Sequence, residues 1–438
     1  MTAASPTARR PATRRTVAFC VQEAFAELQA EVERGAEVPF SLDTRRTETS
    51  SPALYAYRPL FRAYVAARAE RLERLPAFRD AIAALAADPA VEAAARDHAS
   101  AATTVEDAIR DAIVLPLIVG VAEGRGQFDF DDAVFDGIFD RMLAAVAQER
   151  RSYTAFLPLT GLRGPDAALD LSGGIVLRRV SPVELAEGWP ECQGLLPERF
   201  TVGRDRLLGL ELDVSSRRGD GNELPDGVRR FARAVHALRL VYGGPIAAGP
   251  CAFERVDWSP RAVRSMPAAV TAPLEGEPAR VDSARLPLVR ALVDRIADAE
   301  VRGGAIAVAV GRWATACGLV VPAERARAMA AAIEPLLGAD GAGHYAVALR
   351  AAVLVGAGAG EREEALRAMR LAQRLAQPDA PLADLETLAA RVGDITRGVL
   401  VAALDHGSDA EGLADTLDAV IIGSRPRPQV VSGLARSA

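Results

Sequence analysis

At 438 residues, with half of them apolar but only 5% aromatic, the chain is long enough for two or three hydrophobic cores, and its richness in Ala, Leu and Val excludes a strand-dominated protein. The formal charge of −6 excludes a general polyanion-binding surface while leaving room for a local arginine-lined site, and none of the 52 basic residues is lysine. Cys20, Cys192, Cys251 and Cys317 stand far apart, as do the four histidines, so no zinc cage, disulfide framework or cofactor motif can be read, and a reduced cytoplasmic setting is expected.

Thr13-Arg14-Arg15 ahead of Phe19 has the outline of a twin-arginine export signal, but Gln22, Glu23, Glu27 and Glu31 put polar and acidic groups where such a signal needs an uncharged apolar core. Residues 1–15 are expected to be a disordered basic tail. From 16 to 151, apolar residues recur every three or four positions in 19–32, 60–75, 105–121 and 135–147, which predicts a helical N-terminal region. The run Asp129, Asp131, Asp132 and Asp136 lacks the glycine and closing glutamate of a calcium loop and fits a helix start better. Neither 112–122, interrupted by Pro116, nor 305–321, interrupted by Arg312, is long and apolar enough to span a bilayer.

After Arg151 the pattern changes to short apolar runs, 153–159, 174–180, 207–214 and 246–256, separated by Gly, Pro and Asp; these read as strands. Ser181-Pro182-Val183-Glu184 reads as a helix start, with Ser181 as the cap and Glu184 at the capping-box position, and 226–241 reads as a further helix. Residues 152–261 thus form a small α+β domain, and the Pro-, Ala- and Glu-rich stretch 262–285 a linker or long loop. Helices follow at 286–300, 305–318, 323–337, 344–355, 362–377, 382–404 and 410–422, so 286–423 is a helical bundle, and 424–438 reads as a disordered tail. The fold class expected is mainly α with a small α+β middle domain.

The C-terminal helical series resembles the Apea-like HEPN family. The likeness is carried by Gly311-Arg312-Trp313, by Pro322-Ala323-Glu324-Arg325 leading to Ala332-Ile333-Glu334-Pro335-Leu336-Leu337-Gly338, and by Tyr345-Ala346-Val347-Ala348-Leu349-Arg350-Ala351-Ala352 running into Glu361-Arg362-Glu363. The resemblance implies a HEPN-like bundle. In that family, metal-independent RNA cleavage uses an Arg and a His a few residues apart on one helix, facing the same pair from a second subunit; imidazole moves protons near neutral pH and guanidinium holds phosphate charge. Here that helix reads Leu371-Ala372-Gln373-Arg374-Leu375-Ala376-Gln377-Pro378, where the family Arg falls at Ala376 and no His follows. The implied protein is a non-catalytic binding or dimerisation module, with a homodimer through the C-terminal helices and RNA or another protein as expected partners. A metal-independent RNase of a bacterial defence or stress system is the alternative.

Elsewhere, only Arg229 or Arg230 with His236 repeats the nuclease spacing, about as often as chance supplies it, so no catalytic residue is expected and Arg230 and His236 are the candidates only of the alternative reading. Arg350, Arg370 and Arg374 are candidate ligand-binding residues; Arg370 and Arg374 share a helix face, yet Glu363 and Glu364 on the same helix favour an ion-paired surface. Gly356-Ala357-Gly358-Ala359-Gly360-Glu361 imitates a dinucleotide-binding turn and gives a second alternative, a dinucleotide-dependent enzyme. Against it, a helix-like segment precedes the glycines and Glu361 stands where pyrophosphate must approach. His98, His344 and His406 lack partners at ligand spacing, and Trp189, Trp258 and Trp313 read as packing anchors. No metal and no cofactor are expected.

Overall fold

A computed structural model describes residues 6–45, 54–98, 104–148, 150–164, 167–181, 207–217, 226–256, 259–272, 276–338, 341–375, 384–407 and 410–428, with scattered positions between 184 and 196. The fold is mostly helical (65%), with an antiparallel sheet region near the middle and helices after it. Helix α1 (Pro6–Glu33) buries Val17, Cys20, Val21, Ala24, Phe25 and Leu28, one stripe at helical spacing, against the N-terminal core. Because α1 begins at Pro6, residues 6–15, expected to be a disordered tail, are its first turns, and Arg14 pairs there with Asp136.

One element contradicts the all-helical expectation for 16–151. Strands β1 (Phe40–Arg45) and β2 (Leu54–Pro59) pair antiparallel, with Phe40 opposite Pro59 and Arg45 opposite Leu54. The alternation Phe40-Ser41-Leu42-Asp43 carries a period-two signal that a search at helical period passes over. Helices α2 (Phe61–Ala66), α3 (Ala69–Leu72), α4 (Pro76–Ala86), α5 (Pro89–His98), α6 (Val105–Ile109), α7 (Leu115–Arg125) and α8 (Asp132–Ala147) complete this part, α1 packing on α4, α2 on α7 and α5 on α8. Between α6 and α7 the chain takes a π-helical turn, Arg110–Val114. Pro116 has no N–H to give the preceding turn, and the wider turn carries the helix past it without a break.

The sheet is built around β3 (Arg150–Thr160), which pairs with β7 (Leu207–Arg217) from Arg150↔Arg217 to Leu159↔Leu208. The strand order is β10-β9-β3-β7-β6-β5, where β5 is Leu169–Asp170, β6 Ile175–Val180, β9 Cys251–Val256 and β10 Ser259–Ser265; β8 (Ala247–Ala248) adds to the end of β3. Alternation sorts the faces: Tyr153, Ala155, Leu157 and Leu159 enter the main core, while Phe156 joins Phe253, Trp189, Cys192 and Cys251 in a smaller cluster on the other side. The helix start read at Ser181 is present, with the Ser181 N–H donating to Glu184 at 2.8 Å and the Glu184 N–H donating to Ser181 Oγ at 3.2 Å.

Helix α9 (Gly227–Tyr242) begins at Asp226, whose carboxylate accepts from the Arg229 N–H. The stretch read as a linker holds the end of β10, helix α10 (Ala268–Thr271) and β11 (Ala279–Arg280), the last pairing in parallel with β4 (Leu162–Arg163). The C-terminal helices are α11 (Leu286–Arg302), α12 (Ala305–Ala316), α13 (Pro322–Ala332), α14 (Glu334–Leu337), α15 (His344–Val355), α16 (Ala359–Arg374), α17 (Leu385–His406) and α18 (Ala410–Ile421). Although α9 belongs to the α+β stretch in sequence, it packs on α11 and α17, and one continuous apolar core runs from Val17 to Leu417. Within the expected C-terminal tail, Arg427 donates to the Gly356 carbonyl; residues 429–438 lie outside the described residues. Among the described residues no helix is long and apolar enough to cross a membrane.

Candidate functional site

Three helices meet in a polar seam that contains His236. His236 and Arg239 lie three residues apart on α9, and Gly243 ends that helix. Trp313 on α12, Cys317 at the end of that helix and Arg397 on α17 are set against them. The His236 ring stands edge-on to Trp313 with centroids 6.2 Å apart. Arg239, 2% exposed, gives its guanidinium to three carbonyls: Ile246 at 2.7 Å, Ala269 at 2.6 Å and Val270 at 3.2 Å. It thereby caps the single turn of α10 with positive charge, where a helix end favours it.

Arg397, 7% exposed, pairs with Asp394 at 3.2 Å and lies on the backbone of Gly243, where a Cβ would come within 1.8 Å of Nη1. Gly243 has φ of 65° and ψ of −151°, a conformation open to glycine, so the residue without a side chain is demanded twice over. Three buried polar atoms of the seam, His236 Nδ1, Trp313 Nε1 and Arg397 Nε, find no hydrogen-bond partner among the described residues.

The electrostatics follow from burial. His236 is pushed down to about 3, first by burial and then by the Arg239 charge, so its imidazole is neutral throughout the physiological range. The Cys317 thiol is pushed up to about 11 by burial, against the opposing pull of Arg239, Arg397 and Arg325, and it stays protonated. An imidazole buried and held this far below neutrality is too weak a base to take up a proton at neutral pH. Arg230 does not help, because its Nη1 donates to the Gly173 carbonyl at 3.1 Å and six residues at about 100° each place it roughly 120° around the helix from His236. Arg229 is turned to Asp226 at 3.4 Å. The pair singled out by spacing is therefore not brought together.

The depressed His236 pKa has a measurable consequence. Above about pH 6.5 neither the folded nor the unfolded chain protonates this residue; below it the unfolded chain takes up a proton that the folded chain refuses until about pH 3. Stability is lost as pH falls through that window, at a slope of up to about 1.4 kcal/mol per pH unit. Urea unfolding of wild type and His236→Gln at pH 7.0 and 4.5 checks this, and the wild type is expected to lose up to about 2.5 kcal/mol more than the variant on acidification. Equal losses would rule out a buried neutral imidazole.

The three arginines proposed for a phosphate ligand do not converge. Arg350 is 3% exposed and engaged from both sides, with Nε and Nη2 donating to the two Asp418 oxygens at 2.8 and 2.6 Å and Nη1 donating to the Leu337 carbonyl at 2.6 Å. Arg370 and Arg374 lie on the surface, Arg370 with its guanidinium 5.4 Å above the centroid of Tyr345. No family model, curated protein or solved structure matches this chain. The likeness to the HEPN family thus rests on the residues quoted for it, and Ala376, Gln377 and Pro378, where its catalytic pair would stand, lie outside the described residues.

The glycine-rich turn is entered from a helix, α15, and not from a strand. Glu361 reaches back so that its Oε2 accepts from the Ala357 N–H at 2.8 Å, and the Gly356 carbonyl accepts from Arg362 Nε at 3.2 Å. A carboxylate of the chain's own thus stands at the start of α16, where a dinucleotide would place its pyrophosphate. Of the acidic run, Asp131 caps α8 by accepting from the Ala133 and Val134 N–H groups, and Asp129 pairs with Arg125 at 2.8 Å. Among the described residues no group of three or more His, Cys, Asp and Glu side chains could hold a metal ion. His344 is exposed beside Glu334 at 3.0 Å, His406 is exposed at the end of α17, and Trp313 is in the core; Trp258 and the His98 side chain lie outside the described residues. Sequence reasoning passed over Arg239, Cys317 and Arg397, although Arg239 inside Ala237-Leu238-Arg239-Leu240-Val241 was a charge on an otherwise apolar face.

Proposed function

We propose that the chain is a non-catalytic helical scaffold of HEPN-like type that works as a cytoplasmic binding or dimerisation module. The observation that carries this reading is the state of His236, the one histidine at nuclease spacing from an arginine, which is packed on Trp313 and held neutral by burial while Arg230 binds elsewhere. Support for a surface role comes from the loop between α12 and α13, where Val320 is 75% and Val321 50% exposed. The RNase alternative draws on the exposed Arg370 over the Tyr345 ring, with Arg374 one turn further along the same helix and exposed His344 next to Tyr345 in the chain. For the dinucleotide alternative, the Glu361 carboxylate at the glycine-rich turn is unfavourable.

Incubation of the purified protein with labelled single-stranded RNA tests the claim, alongside light scattering for mass. No cleavage above background is expected at any pH from 5 to 9 (about the range in which an unshifted imidazole titrates), and a mass of twice the monomer is expected, reverting to one on Val320→Asp with Val321→Asp. Cleavage that disappears on His236→Ala would make the protein an enzyme.

A further inference from the structure

The first turns of α1 differ from the rest of that helix. Its buried stripe starts at Val17, and none of the described side chains from 11 to 16 is buried. Pro11 sits inside the helix and removes a backbone donor, so the turns before it hold to the remainder more weakly than a regular helix would. Four arginines, Arg9, Arg10, Arg14 and Arg15, stand within residues 6–16, and the same segment contains no Leu, Ile, Val, Phe, Trp, Tyr or Met.

One arginine of this segment, Arg14, faces an acidic stripe. Asp132, Asp136 and Asp140 are four residues apart on α8 and so share one face of it. Arg14 reaches that face, with Nε donating to Asp136 Oδ1 at 2.7 Å and Nη2 against Oδ2, a two-point contact between side chains 44% and 32% exposed. Asp140 and Asp132 act on the same guanidinium from further away, and with the Asp136 bond they hold Arg14 above its usual range. Such a contact between exposed groups is weak and is screened by salt. Asp132 and Asp136 of this stripe also belong to the acidic run that the sequence reads as a helix start, and the cation met by Asp136 belongs to the chain.

We propose that residues 6–16 are a detachable arginine arm for the phosphate backbone of a nucleic acid, kept on the protein surface by the acidic stripe of α8 until a stronger polyanion takes it. Guanidinium forks match phosphate oxygens two at a time, and an α-helix fits the major groove of a duplex. A membrane is the poorer partner, because a helix that lies in a lipid interface needs a large apolar face and this segment has none. The acidic balance of the whole chain accords with this, since it limits binding to the one basic element and lets the protein's own carboxylates compete for it.

Two variants test the proposal: Asp132→Asn with Asp136→Asn and Asp140→Asn, which removes the stripe, and Arg9→Gln with Arg10→Gln, Arg14→Gln and Arg15→Gln, which removes the arm's charge. Binding of the full chain to a fluorescent 20-base-pair DNA duplex is followed by anisotropy, and backbone hydrogen exchange of residues 6–16 is followed without DNA. Loss of the stripe is expected to speed exchange in the arm and to tighten DNA binding about threefold to fivefold, the scale of an exposed ion pair. With four phosphates engaged, its binding is expected to fall with salt at a log–log slope of about −3.6. The arginine-free variant is expected to lose DNA binding while keeping the wild-type circular dichroism spectrum. Unchanged exchange and unchanged affinity in the stripe variant would overturn the clasp. Equal binding by the arginine-free variant, or arm-dependent capture by phosphatidylserine vesicles with none by DNA, would overturn the assignment of the arm.

Discussion

Gly161→Ala is expected to destabilise the protein by more than about 4 kcal/mol, in the range reserved for substitutions that force backbone to move. Gly161 links β3 to β4 with φ of 76°, where a side chain is already strained, and a Cβ there would lie 2.0 Å from the Pro245 oxygen and 2.4 Å from its carbonyl carbon. Those atoms cannot retreat cheaply. The next carbonyl, that of Ile246, accepts from buried Arg239, and the Gly249 N–H donates to the Pro158 carbonyl at 2.7 Å, so the loop after α9 is fixed at both ends. Gly173→Ala is the control, since φ is 60° but nothing lies within 4 Å, and a cost of about 1 kcal/mol is expected from backbone strain alone. Urea midpoints of the two variants compared with wild type decide the matter; similar midpoints would mean that the Pro245 loop yields.

Arg350→Met is expected to cost about 3 kcal/mol, with no ligand present. The substitution fills much of the volume but leaves the Leu337 carbonyl without its donor and separates α15 from Asp418 on α18. Asp418 is 49% exposed and can recover water, which places the loss at the low end of the range for broken buried pairs. Arg350→Lys keeps the charge but cannot serve two carboxylate oxygens and a carbonyl at once, and an intermediate loss is expected. Arg370→Met and Arg374→Met, on the exposed face of α16, are each expected to stay within about 0.5 kcal/mol of wild type. Thermal unfolding of the four variants separates a clamp from a binding residue, and an Arg350→Met protein as stable as wild type would remove the clamp.

The long helices and the sheet were legible because their signals are local and repeated. The apolar period in 344–355 coincides with α15, the strand runs 153–159 and 174–180 lie within a residue of the bounds of β3 and β6 or inside them, and the Ser181/Glu184 box forms as spelled. What escaped depends on partners distant in sequence. Strands β4 and β11 are two residues each and exist through mutual pairing across more than a hundred residues. Nothing near Arg350 distinguishes it from Arg370; burial comes from Asp418, 68 positions away. His236 likewise carries an ordinary helical neighbourhood, and its neutrality arises from Trp313 and Arg239 around it in space. The candidate site was thus read in residue type and missed in environment, which is where pKa values and availability are decided.

Helix α9 also bears on what can be inherited as a unit. A recombination event that carried residues 286–423 alone into another gene would deliver Trp313, Cys317 and Arg397 with the facing side of α9 left behind, together with the apolar sides of α11 and α17 that it covers. Such a transplant would expose apolar surface and a buried cation at the same time, and both are costly in water or in a new core. Keeping the seam closed takes residues from near Asp226 onward, and the strands β8, β9 and β11 that come with them pair with β3 and β4, so the seam is not separable from the sheet that precedes it.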